Sequence, residues 1–143
     1  WRFTDDEQRG AVLDELAREV ARMHALRFLH RDLFARNLLV GPDLGRRRVV
    51  FLDAWAGGPD PSLRGPAYDL ACLFLDGPWL EPAWRQRFFD AYVRGRAVQE
   101  RPVQRAGLLR AVETQRTRLR ARLVREPERL HGAELPRATL LDR

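Results

Sequence analysis

The chain has no lysine: all 26 of its basic side chains are arginine, set against 20 acidic ones for a net charge of +6. It has a single cysteine, and no apolar run that approaches membrane-spanning length. Each shortage excludes something. One cysteine, Cys72 inside the apolar stretch 70–75, rules out a disulfide framework and leaves core packing as its role; a reducing compartment fits that usage. A span needs about 18–20 consecutive apolar residues, so no transmembrane helix is expected. The first seven residues lack the apolar segment of a signal peptide. With lysine absent, recognition of an anion falls to the planar guanidinium fork, which pairs bidentately with phosphate or carboxylate. The basic balance fits an anionic partner such as membrane headgroups, a phosphorylated glycolipid or nucleic acid. It fits a compositional bias toward arginine equally well. No zinc-ligand spacing or RNA-binding motif supports the nucleic-acid reading. A length of 143 residues, 45% hydrophobic and 32% charged, suits one globular domain with a real core.

Residues 28–53 organise the rest. Asp32 opens a loop and Asn37 closes it five residues later. Two short apolar runs, 38–40 and 49–52, flank a Gly-Pro-Asp-rich turn and predict a small β-hairpin. That hairpin brings Asn37 and Asp53 to neighbouring strand ends, with Asp32 just ahead. Two hard oxygen ligands so placed can hold Mg²⁺ against a polyphosphate, because Mg²⁺ keeps several waters and takes few protein ligands. A third carboxylate can accept the proton of an attacking hydroxyl. The bland reading of the same residues is a capped turn, since Asp and Asn open loops for local hydrogen-bonding reasons alone.

Around this segment the chain reads mainly as helix. Thr4 and Glu7 form a capping box ahead of a helix over 5–27, with Val12, Leu13, Leu16, Val20 and Met23 on its apolar side. His24, near its end, reads as a packed or capping residue rather than a ligand. Arg36 reads as solvent-facing, with neutralisation of a phosphate or substrate as the alternative. Arg46, Arg47 and Arg48 cluster at the hairpin tip, to meet an anionic surface or simply for solubility. Residues 56–66 are a breaker-rich loop. Residues 68–75 are a buried helix whose one carboxylate, Asp69, must be hydrogen-bonded. A helix over 81–97 places Phe88, Phe89, Tyr92 and Val93 inward with Trp79 and Trp84 flanking it; core packing accounts for these aromatics. From 102 to about 125 runs an arginine-rich amphipathic helix, suited to a solvated bundle face or to an anionic membrane. The tail 127–143 is uninformative.

His30-Arg31-Asp32-Leu33, with Asn37 five residues past Asp32 and Asp53 ending the second run, resembles the catalytic loop of protein-kinase-like enzymes. The resemblance implies an α+β, mainly α fold: a kinase-like C-terminal lobe spanning 1–143. Its parts are a leading helix (1–27), the catalytic loop and metal-binding hairpin (28–55), a helical subdomain (66–126) and a tail (127–143). It also implies roles. Asp32 is the base or hydroxyl-orienting group, and Asn37 and Asp53 bind Mg²⁺ and through it ATP. His30 packs beneath the metal-binding segment, Arg31 is scaffold, and Asp69 receives backbone N–H groups of the loop. Asp53-Ala54-Trp55 departs from the Asp-Phe-Gly of protein kinases, which argues against flip-type switching. The short loop that follows lacks Ala-Pro-Glu and offers no platform for a peptide substrate.

Residues 21–24, 30–34 and 87–92, with the short loop after Asp53, make the chain similar over about 10–95 to the lipopolysaccharide core (heptose/Kdo) kinase family. That implies an ATP-dependent phosphotransferase acting on a sugar hydroxyl of lipopolysaccharide core or a related anionic glycolipid. The expected location is the cytoplasm, at the inner face of the cytoplasmic membrane if the helix 102–126 touches lipid. Such kinases cover ATP with an N-terminal lobe carrying a Gly-rich hairpin and a strand lysine. Neither is here, and the chain starts at Trp1. The expectation is therefore a lobe without its partner, binding nucleotide weakly by itself. The rival readings are an aminoglycoside- or choline-type kinase and a non-catalytic kinase-like binding module.

Overall fold

The computed structural model describes residues 5–43, 46–59, 65–75, 81–99 and 102–125, without side chains at 42, 43 and 46–48. Thr4, Trp79, the hairpin tip with its arginine side chains, and the tail 127–143 lie outside what is described. Helix α1 is Asp6–Ala25, α2 Gly65–Leu73, α3 Pro82–Val98 and α4 Arg105–Arg125. Among the described residues there are two antiparallel pairs: β1 (Phe28–Leu29) with β4 (Gly58–Pro59), and β2 (Leu38–Asp43) with β3 (Arg46–Phe51). The chain is mainly helical with one small hairpin, and α1 lies chiefly on α3 while α2 lies on α4.

The start of α1 corrects the capping-box expectation. Asp5 is the N-cap, in extended backbone, and its carboxylate accepts from the Gln8 N–H at 2.7 Å. An ionised acceptor next to the positive end of the helix dipole suits this place well. The helix ends where Arg27 turns left-handed at φ 60°, with its N–H on the His24 carbonyl. Between these ends Val12, Leu13, Leu16, Ala17, Val20, Ala21 and His24 are buried, the three-and-four spacing of a single inward face.

That face meets Phe88, Ala91, Tyr92 and Arg96 of α3. The two helices approach so closely that a Cβ on Gly95 would stand 2.8 Å from the Cβ of Ala21. Phe74, Phe88 and Phe89 interlock at centroid distances of 5.0–5.8 Å, in edge-on and tilted geometries that favour aromatic pairs. Cys72 is fully buried in this core. Trp84 is half-buried, with the guanidinium groups of Arg9 and Arg87 over its ring.

Helix α4 turns Val112, Arg116 and Leu119 inward, while Val124 is 80% exposed. Its arginines are therefore not all on the outer surface. No helix among the described residues is long and apolar enough to cross a membrane.

In the hairpin, Leu38 pairs with Phe51 and Leu39 with Val50. Alternation sends Leu38 into the core and leaves Leu39, Val50 and Leu52 on the open face. The Leu52 N–H extends the ladder onto the Asn37 carbonyl at 2.8 Å.

Candidate active site

Asp32 follows a strained residue. Arg31 is left-handed at φ 64°, a conformation that costs a non-glycine residue about 1 kcal/mol or more unless its surroundings impose it. Here they do. The Asp69 carboxylate, fully buried on α2, accepts the His30 N–H at 2.7 Å and the Arg31 N–H at 2.8 Å. The Arg31 guanidinium reaches across to the carbonyls of Ala56 (3.3 Å) and Pro59 (3.4 Å). Beside it, a Cβ on Gly57 would meet the Phe28 ring at 2.7 Å and the Ala54 carbonyl at 2.8 Å. Only glycine allows the loop after Asp53 to lie this close to the loop before Asp32.

The turn itself is closed by its own polar groups. Phe34 N–H donates to the Asp32 carbonyl, and Asn37 Nδ2 donates at 2.8 Å both to that carbonyl and to Asp32 Oδ2. Asn37 is the only asparagine in the chain. With its amide hydrogens committed to Asp32, its Oδ1 is the atom left to accept or ligate.

Arg36 does not face solvent as expected. Its Nη2 lies 3.2 and 3.3 Å from the two oxygens of Asp32, and its guanidinium sits 4.2 Å from the centre of the Phe34 ring. The 3₁₀ turn Ala35–Asn37 curls residue 36 back over residue 32, where the ring and the carboxylate both attract a cation.

His30 is fully buried, with Nε2 2.9 Å from the Leu52 carbonyl and its ring edge-on to Phe51. A carbonyl only accepts, so Nε2 carries the proton. Leu52 is thus held at both its backbone groups, by Asn37 and by His30. Asp53 hangs from this anchored residue in left-handed backbone (φ 59°, ψ 39°), exposed, and makes no hydrogen bond or ion pair to another described side chain. Among the described residues no three His, Cys, Asp or Glu side chains converge to hold a metal. The available donors are Asn37 Oδ1 and the Asp53 carboxylate. Two hard oxygens fit Mg²⁺, which completes its octahedron with phosphates and water.

His24, read from the sequence as packing, does more. Its Nδ1 lies 2.8 Å from the Tyr92 hydroxyl and its Nε2 3.2 Å from Asp69 Oδ2, with Arg96 Nη1 donating to the same hydroxyl at 3.2 Å. Burial pushes its pKa below the ordinary 6.5; Asp69 opposes that shift and the nearby Arg96 adds to it. With the folded value depressed, the unfolded chain binds more protons over the window below 6.5. Stability should therefore be full above that pH and decline as pH falls through it. Thermal melts from about pH 7.5 to about pH 5.5 should show a falling midpoint before the carboxylates titrate. A flat profile would mean that folding leaves the His24 pKa where it is in the unfolded chain, and a midpoint that rises toward acid would mean that His24 is charged in the folded state.

Tyr68 on α2 is half-buried. Burial and a hydrogen bond to Cys72 push its hydroxyl up to about 12, with Arg122 and Asp32 both close enough to act on it. The sequence singled out Asp32, Asn37, Asp53, His30, Arg31 and Asp69, and the fold gathers His30, Arg31, Asp32, Asn37 and Asp69 around one loop, with Asp53 at the hairpin end. It did not point to Arg36, His24, Tyr92 or Arg96. The i,i+4 spacing of Tyr92 and Arg96 puts both on one helical face, but His24, which Tyr92 meets, is 68 positions away.

A His-Arg-Asp turn closed by an asparagine, braced by a buried carboxylate and followed by a hairpin ending in aspartate, resembles the catalytic loop of protein-kinase-like enzymes. Residues 1–55 match the lipopolysaccharide kinase (Kdo/WaaP) family model. The match takes in Asp32, Asn37 and Asp53 and stops short of Asp69, a narrower stretch than the 10–95 expected. No curated protein matches the chain.

Proposed function

We propose that the chain carries the catalytic loop of an ATP-dependent phosphotransferase acting on a sugar hydroxyl of lipopolysaccharide core or a related glycolipid, within a kinase-like C-terminal lobe. The observation that carries this reading is the Asp32 turn: a part-exposed carboxylate fixed by Asn37 and Arg36, inside the stretch that matches the lipopolysaccharide kinase family.

Asn37 occupies Oδ2, so Oδ1 is the oxygen more open to an acceptor hydroxyl. The hydroxyl oxygen bonds to the γ-phosphorus of ATP as the bond to the β,γ-bridging oxygen breaks. The hydroxyl proton passes to Asp32 Oδ1. Asn37 Oδ1 and the Asp53 carboxylate would hold Mg²⁺, which would neutralise phosphate charge. Leu39 and Val50, a cross-strand pair on the open face of the hairpin, offer an apolar surface for a nucleobase beside these groups. The net charge of +6, with every basic side chain an arginine, favours an anionic acceptor. With the outward arginines of α4, it also favours a place at the inner face of the cytoplasmic membrane.

The test is an acceptor panel with γ-labelled ATP and the complete polypeptide. Label should move to Kdo- or heptose-bearing acceptors and not to aminoglycosides or choline. Transfer to the cationic acceptors instead would replace this reading with the rival kinase class. Nucleotide binding without transfer to any acceptor would replace it with a non-catalytic module.

A further inference from the structure

The buried polar groups behind the loop form a chain whose direction is set by chemistry. Asp69 Oδ1 takes the Arg31 N–H, and Oδ2 takes the His30 N–H and faces His24 Nε2. A carboxylate only accepts, so Nε2 is the protonated nitrogen. Burial keeps the imidazole neutral, which leaves Nδ1 as a bare acceptor. The Tyr92 hydroxyl must then donate to it, and burial, which pushes that hydroxyl up to about 12, keeps its proton in place. Once its proton is spent on His24, the tyrosine oxygen can only accept, and what donates to it is Arg96 Nη1. Every link follows from the one before. The run crosses α3, α1 and α2 and ends on the backbone of residues 30 and 31, directly before Asp32. The charged and titratable groups facing His24 are Asp69 from α2 and Tyr92 and Arg96 from α3.

Arg96 is an expensive way to fill space. It is only 8% exposed, and its Nε is buried without a hydrogen-bond partner. An apolar side chain would pack there without that cost. What the guanidinium adds is orientation: it makes the tyrosine hydroxyl point at His24 rather than away.

We infer that Tyr92 and Arg96 are positioning residues for the catalytic loop, setting through His24 the orientation of the Asp69 carboxylate that holds residues 30 and 31. The inference rests on the phosphotransfer reading for its kinetic consequence, but its structural half is independent of any activity.

Tyr92→Phe conserves volume and removes only the hydroxyl; Arg96→Leu removes the donor, and Arg96→Lys keeps one. In the complete polypeptide, Tyr92→Phe and Arg96→Leu should each speed amide exchange at His30 and Arg31 by about tenfold relative to interior amides of α1. In the acceptor assay kcat should fall by about five- to twentyfold with KM for ATP unmoved, and Arg96→Lys should recover most of both effects. Exchange that is unchanged at residues 30 and 31, or that rises equally along the whole chain, would overturn the positioning role. If the wild-type polypeptide transfers no phosphate, the exchange result still decides the positioning, and only the proposed function falls.

Discussion

Asp32→Asn should cut phosphoryl transfer by about 10²–10⁴-fold, the usual worth of a positioned base, while Mg·ATP binds as before. The two side chains have the same shape. Asparagine can turn its Oδ1 toward Asn37 Nδ2 and preserve the bond that closes the turn, now 2.8 Å long. It cannot take a proton from an incoming hydroxyl, and it presents no charge to Arg36. The loss therefore belongs to kcat. Since Asn37 and Asp53 are untouched, nucleotide affinity and the melting midpoint act as internal controls. Transfer at the wild-type rate would remove Asp32 from the mechanism.

Asp69→Asn should act by a different route and reach further. Three N–H groups converge on Asp69, those of His30, Arg31 and His24 Nε2, at 2.7, 2.8 and 3.2 Å. Asparagine offers one oxygen to these three donors and turns its own amide hydrogens toward at least one of them. Even with its oxygen kept on His30 and His24, the Arg31 N–H then faces the new amide hydrogens, so two buried donors stand without an acceptor and the group holding Arg31 in left-handed backbone is lost. At about 1–3 kcal/mol for each unsatisfied buried group, the destabilisation should be about 2–6 kcal/mol. That is a large part of the stability of an ordinary domain, and at about 3 °C per kcal/mol should lower the melting midpoint by about 6–18 °C. Phosphoryl transfer should fall even where the variant is still folded, because the loop backbone is no longer fixed. A midpoint equal to wild type would show that the carboxylate is not what holds the turn.

The two substitutions separate parts of the site that differ in how legible they were. The Asp32–Asn37 turn is local: a separation of five positions, a short apolar run and turn chemistry suffice to place both side chains. The brace behind it is not local. Asp69 stood out as a lone carboxylate in an apolar helix, and burial chemistry required that it be hydrogen-bonded; kinase resemblance supplied the partners. Arg36 illustrates the opposite case. An arginine in a polar turn reads as solvated, and only the curl of the 3₁₀ turn and the Phe34 ring bring it over Asp32.

Periodicity and turn residues act over three to five positions, so the sequence by itself determined the helices, the hairpin, and the small set of oxygens at its root. It also limited anion recognition to arginine. What only the tertiary structure decided is which buried polar groups satisfy one another. His24 finds Asp69 across 45 positions and Tyr92 across 68, while His30 finds the Leu52 carbonyl across 22. Those pairings depend on how α1, α2 and α3 cross, and on a glycine that lets two helices close to contact. A buried hydrogen-bond donor must have an acceptor, but local sequence does not say where in the chain that acceptor lies.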